Sequence, residues 1–100
     1  MAHQFDAPLS PARTIIANRI LAHLSQPDLS VDERRIGAIL NLFDWVVNEP
    51  DRNRQHEAEG EVSYVLLHLI HHGSITFNDD GDHAFTYVQP DPHAIPPLNN

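Results

Sequence analysis

Apolar residues recur at helical spacing in three segments of the chain, which predicts three helices. The first begins at the helix-starting pair Ser10-Pro11 and ends before Pro27. The second covers about residues 31–48 and begins with the capping box Ser30-Val31-Asp32-Glu33. The third covers about residues 57–72, after a polar segment over 50–56 that is predicted to be a loop and that holds Arg52 and Arg54. The second has the widest apolar arc and is expected to be the central helix. The predicted core positions are Ile16, Ile20, Leu24, Ile36, Ile39, Leu40, Phe43, Val47, Val62, Val65, Leu66 and Leu69.

Residues 75–87 alternate between apolar and polar positions, which predicts a β-hairpin after the third helix. A three-residue loop over 79–81 would pair Phe77 with His83. This register places the aromatic side chains on one face, whereas a two-residue loop would mix the faces. The predicted fold is therefore α+β, a three-helix bundle followed by a C-terminal β-hairpin, in the order of a winged-helix module.

The length of 100 residues predicts a single small domain. We assign it to residues 10–88, between a flexible lead-in over 1–9 and a tail over 89–100 that holds four of the eight prolines. The absence of cysteine excludes a disulfide scaffold. Because the apolar runs are too short to span a bilayer and the first residues do not resemble a signal peptide, we expect a cytoplasmic protein without a membrane partner.

The chain contains no lysine and carries a net charge of −8. Residues 51–100 hold eight acids and two arginines, whereas residues 1–50 hold six acids and four arginines. Much of the negative charge falls on the third helix and the hairpin tip, where a winged-helix DNA-binding protein needs Lys or Arg for phosphate contacts. We therefore expect a basic protein surface as the partner, with no direct nucleic-acid contact. The alternative is that the charge only keeps the domain soluble.

Six carboxylates and one aromatic side chain are the predicted partner-binding residues. They are Glu57, Glu59, Glu61, Tyr64, Asp79, Asp80 and Asp82. The acids are expected to be exposed, to form few internal salt bridges and to create one negative patch, because the hairpin of a winged helix flanks the third helix. Trp45 is instead expected in the core, as large aromatic side chains on apolar helices usually are.

No catalytic signature is present, and the sequence predicts no enzyme. The chain has neither a nucleophile elbow nor a phosphate-binding glycine loop. The hairpin tip lacks the Asp and the Glu that a calcium-binding loop needs at its first and twelfth positions. His68 and His72 have the spacing of metal ligands on a helix. Histidines near a helix C-terminus also interact with its negative end, so we expect no metal and no cofactor.

The chain resembles the small acidic anti-CRISPR inhibitors that phages encode. It shares with them its size, its acidic charge, the lack of a catalytic motif and an order of helices and strands like that of a DNA-binding protein. The resemblance rests on this profile and on no shared motif. It implies a non-enzymatic inhibitor in the bacterial host cytoplasm. Such an inhibitor would present its acidic surface to the basic DNA-binding channel of a multi-subunit CRISPR surveillance complex and block access of target DNA.

Two alternatives stay open. A winged-helix DNA-binding transcription regulator would use the arginines Arg34, Arg35, Arg52 and Arg54. A metal-binding or pH-sensing module would use the histidines His68, His71, His72 and His83. The sequence leaves the oligomeric state and the identity of the partner open.

Overall fold

The computed structural model describes residues 5–89 and has an α+β fold, with helices followed by a two-stranded antiparallel hairpin. This confirms the predicted fold class, although four helices form instead of three. The elements in chain order are α1 (Pro11–Leu24), a 3₁₀ turn (Asp32–Arg34), α2 (Ile36–Leu40), α3 (Asp44–Val47), α4 (Arg52–His71), β1 (Ile75–Asn78) and β2 (Ala84–Tyr87). Within these residues, no helix is both long enough and apolar enough to cross a membrane.

Helix α1 forms as the sequence predicts. The Ser10 hydroxyl accepts a hydrogen bond from the backbone N–H of Arg13 at 3.3 Å, and Pro11 occupies the first turn, where its missing N–H costs nothing. Ile16, Ile20 and Leu24 are buried at the predicted four-residue spacing.

The predicted single helix over 31–48 is wrong, because the chain forms the 3₁₀ turn and two short helices there. Its capping box does form, since the Glu33 N–H donates to the Ser30 hydroxyl at 3.2 Å. The helix is interrupted at Arg35, whose extended backbone makes an antiparallel bridge with Ala84 of β2. Residue 35 thereby acts as a one-residue third strand beside the hairpin. The apolar arc of the predicted helix was wide because its residues belong to two short helices, α2 and α3.

Helix α4 begins earlier than predicted, and the loop expected over 50–56 is mostly helical. The Asp51 carboxylate caps the helix, accepting from the backbone N–H groups of Asn53 at 2.9 Å and Arg54 at 3.4 Å. The early turns carry no apolar stripe, so hydrophobic periodicity could not reveal them. The helix ends as predicted, where Gly73 has a φ of +76°.

The hairpin forms, but in a different register from the predicted one. Phe77 pairs with Phe85 and not with His83, so the loop has five residues, 79–83. The shift is two residues, and because side chains alternate with a period of two, the predicted division into two faces survives. His83 adopts a φ of +51°, an unusual conformation that the sequence did not indicate. Ala84 is buried although it lies on the predicted polar face, because its strand is bridged by Arg35.

The core lies between α1, α4, the short helices and the hairpin. Its largest fully buried side chains are Ile20, Ile39, Val46, Val62, Val65 and Ile75. Three predicted core positions are wrong, since Trp45 is 47% exposed and Ile36 and Val47 are also exposed. Phe5 is buried although a flexible lead-in was expected there. Residues 1–4 of that lead-in and 90–100 of the predicted tail lie outside the described residues.

Candidate functional site

The loop between β1 and β2, residues 79–83, is an exposed acidic tip that carries Asp79, Asp80 and Asp82. Its shape is held by backbone and amide contacts. The Asp80 N–H donates to Asn78 Oδ1 at 2.8 Å, and Arg35 Nε donates to the carbonyl of Asp82 at 2.8 Å. Over residues 5–89, the three carboxylates form no salt bridge. The tip therefore presents three solvated negative charges on an ordered loop.

The three predicted acids of α4 do not share one side of the helix. At 3.6 residues per turn, Glu57 and Glu61 lie on the same side, whereas Glu59 is rotated by about 200° from Glu57. Glu57 and Glu61 are exposed, and Glu59 is partly buried. The expectation of one continuous patch from all six acids is wrong for α4, because the core-facing stripe separates Glu59 from the other two. The helix begins at Arg52, so none of them lies in its first turn.

Glu61 and Tyr64 belong to a cluster with Arg13 of α1. Arg13 Nε and Nη2 donate to the two Glu61 carboxylate oxygens at 3.0 Å each. The same guanidinium lies 4.0 Å from the centroid of the Tyr64 ring. The hydrogen bonds from Arg13 lower the pKa of Glu61, and its positive charge acts in the same direction. The charge of Glu61 is thus compensated inside the molecule, which the sequence analysis did not predict.

An apolar groove of about 200 Å³ lies between α2, α4 and the hairpin. We call it the α4–hairpin groove, and it is lined by Ile36, Ser63, Leu66, Leu67, Ile70 and Phe85. Leu67 is 51% exposed and Ile36 is 42% exposed. Phe77 lies beside the groove, 41% exposed, with its ring 4.9 Å from that of Phe85. Sequence reasoning missed this groove because three separate elements build it.

The α4–hairpin groove and the acidic tip are neighbours. Phe77 packs on a groove residue and is only two positions before Asp79. Glu59 lies four residues before Ser63 and seven before Leu66, spacings that place all three on one side of α4. Half-exposed apolar side chains are therefore flanked by acidic residues from the hairpin and from the helix.

Three of the predicted histidines meet at the C-terminal end of α4. The rings of His68 and His72 contact each other with centroids 4.3 Å apart and planes tilted by 36°, and His72 Nε2 donates to the Phe5 carbonyl at 2.6 Å. His71 Nε2 contacts the Asp6 carboxylate at 2.8 Å. Burial lowers the pKa of His68, and the neighbouring His72 and His71 lower it further. His83 lies instead on the hairpin loop. Although the rings of His68, His71 and His72 are close to one another, no group of three or more His, Asp or Glu side chains in the part of the chain that the structure describes is placed so that it could hold a metal ion.

The four predicted basic residues are divided between two places. Arg34 and Arg35 contact the hairpin, since Arg34 Nη1 donates to Thr86 Oγ1 at 3.0 Å and Arg35 Nε donates to the Asp82 carbonyl at 2.8 Å. Arg35 also pairs with Asp32 of the 3₁₀ turn at 2.6 Å. Arg52 and Arg54 are exposed in the first turn of α4. These two arginines were predicted to lie in a loop, and in the structure they instead form a basic start of α4.

Comparison with protein-family models, curated proteins and solved structures finds no match for this chain.

Proposed function

We propose that the protein is a non-enzymatic binding domain that docks its acidic hairpin tip onto a basic surface of a partner protein. The observation that carries the proposal is the exposed trio Asp79, Asp80 and Asp82 on a loop held by Arg35. Complementary charge raises the association rate and orients the two proteins. Because the loop backbone is already hydrogen-bonded, little ordering of the loop is needed on binding.

The resemblance to anti-CRISPR inhibitors extends this proposal to a class of partner. The basic DNA-binding channel of a multi-subunit CRISPR surveillance complex is lined by side chains that bind phosphates. Three aspartates on a projecting loop would pair with such side chains and compete with target DNA for them. Blocking needs no catalytic group, which agrees with the absence of a catalytic motif in the sequence.

The proposal is tested by neutralising the tip. The triple variant Asp79→Asn, Asp80→Asn, Asp82→Asn keeps side-chain size and turn-forming residues while removing three charges. The matched control, Asp28→Asn, Asp44→Asn, Glu49→Gln, changes the net charge equally at residues outside the hairpin tip. We expect partners captured from a bacterial lysate by the wild type and the control to be lost with the tip variant.

Association kinetics with a purified CRISPR surveillance complex test whether the partner belongs to this class. The tip variant should associate about tenfold more slowly at low salt, and this difference should shrink at high salt because exposed charges are screened. Equal association of the wild type, control and tip variant would contradict the proposal. Failure of the wild type to bind, or to displace target DNA, would exclude this class of partner.

A second function is favoured by one specific observation, the exposed Arg52 and Arg54 at the start of α4. In a winged-helix arrangement the N-terminal residues of this helix read DNA, and Arg and Asn are base-reading side chains. Asn53 stands between the two arginines. Anisotropy titration with duplex DNA tests this alternative. Binding tighter than about 1 μM, with a steep salt dependence that Arg52→Gln and Arg54→Gln reduce, would replace the first proposal.

A further inference from the structure

The α4–hairpin groove is a concave site with large apolar side chains exposed at its rim. Leu67 and Ile36 are half-exposed at its rim, although both are large apolar side chains. Phe85, by contrast, lines the groove as a buried side chain, and the half-exposed Phe77 ring packs against it at a centroid distance of 4.9 Å. Exposed apolar side chains gathered in a concave site are typical of a docking surface.

We infer that this groove receives an apolar anchor side chain carried on a basic segment of the partner protein. The inference rests on the proposed function and extends it from a charged contact to a two-part site. Lysine or arginine residues of the segment would bind the acidic tip. A leucine, methionine or phenylalanine between them would enter the groove beside Leu67 and Ile36.

The charges around the groove identify the occupant. Asp79 follows Phe77, which packs on Phe85 of the groove, by two positions, and Glu59 shares a side of α4 with Ser63 and Leu66. No Lys or Arg lines the groove, and Arg35, which precedes Ile36, is paired with Asp32. A second copy of this chain would bring its own acidic tip or Glu59 toward the same acids in a two-fold interface, because both copies then use the same patch. Repulsion between like charges disfavours that pairing. A segment with basic residues around an apolar one matches both the groove and its rim.

The test uses synthetic peptides as probes and the full chain labelled with ¹⁵N. The first peptide has one central leucine between arginines and lysines, the second replaces that leucine with serine, and the third replaces the basic residues with glutamate. We expect the first peptide to shift the amide signals of Leu67, Ile36 and the tip. The second should shift only the tip and bind about tenfold more weakly, and the third should not bind.

Two matched variants distinguish peptide binding in the groove from non-specific binding to exposed apolar side chains. Leu67→Ser removes the exposed rim of the groove, and Ile15→Ser removes the 70%-exposed isoleucine of α1. Both positions are solvent-exposed, so both variants should keep the fold, which thermal unfolding checks. Leu67→Ser should weaken the leucine peptide to the level of the serine peptide, whereas Ile15→Ser should leave binding unchanged.

The outcomes distinguish the two proposals. If both basic peptides shift the tip equally and Leu67→Ser has no effect, the groove is not a binding site and the proposed charged docking stands. If no basic peptide shifts the tip or the groove, both proposals fail. If sedimentation shows a dimer of the wild type that Leu67→Ser dissociates, a second copy occupies the groove and the inference is overturned.

Discussion

Replacing His68 with leucine should stabilise the protein and remove part of its dependence on pH. His68 is 9% exposed, and its Nδ1 is a buried atom with no hydrogen-bond partner among residues 5–89. An unsatisfied buried polar group costs about 1–3 kcal/mol, whereas an apolar group of similar size does not carry this cost. Leucine, however, loses the contact that the His68 ring makes with the His72 ring, which offsets part of this gain. We therefore expect the net gain at pH 7.5 to be about 1 kcal/mol, the lower end of that range.

The pH dependence follows from the lowered pKa of His68. Burial is the largest cause of the lowering of the His68 pKa, followed by its electrostatic interactions with His72 and His71. The unfolded chain then binds a proton near the ordinary value of 6.5, before the folded chain does. The full stability contribution is present above that value and is lost as the pH falls toward the lowered pKa. The loss has a slope of at most about 1.4 kcal/mol per pH unit.

Urea unfolding of the wild type and His68→Leu at pH 7.5, 6.5 and 5.5, at constant ionic strength, measures both effects. The stability difference in favour of the variant should widen as the pH falls below 6.5. His56→Leu is the control, because His56 is an exposed histidine of the same helix. Parallel pH profiles for the wild type and His68→Leu would refute the reasoning. So would a variant that is clearly less stable at pH 7.5, because His68 would then make a favourable polar contact.

Two further predictions concern α4. Asp51→Ala should cost about 0.5–2 kcal/mol and speed amide exchange in the first turn, because the N–H groups of Asn53 and Arg54 lose their acceptor; retention of wild-type exchange there would show that the cap is unimportant. Arg13→Gln should cost no more than about 1 kcal/mol, because the pair with Glu61 is half-exposed. Since Arg13 lowers the pKa of Glu61, its stabilising effect should be present above the ordinary value of 4.5 and be lost as the pH falls below it, and the variant should return the pKa of Glu61 toward 4.5 in an NMR titration.

Local signals in the sequence were sufficient for the elements whose ends depend on neighbouring residues. Ser10 and Pro11 start α1, Gly73 follows the end of α4, and the alternation after it predicts the hairpin. The interruption near residue 35 depends instead on a bridge to Ala84, far along the chain. A pattern within 31–48 contains no information about that bridge, so one long helix was the natural prediction.

The residues of the candidate site were predictable only where the residue type itself indicates that the side chain is exposed. Asp79, Asp80 and Asp82 are turn formers on a hairpin, and they are exposed as expected. Glu61 has the same charge, but its partner Arg13 is 48 residues away in sequence. The exposure of Leu67 could have been suspected, because it falls outside the core-facing stripe of α4. The sequence does not indicate which elements of the fold lie next to Leu67.

The two elements that a winged helix uses on DNA carry opposite charges in this protein. The start of α4 presents Arg52 and Arg54, whereas the hairpin tip presents three aspartates. A DNA duplex is negative along its whole length, so a docking mode that uses both elements would gain attraction at the helix and lose it at the tip. A protein surface has no such uniform charge, and it can meet the tip with basic residues and the groove with an apolar one. This difference is the physical reason to prefer a protein partner, and it makes the hairpin tip the decisive place for mutation.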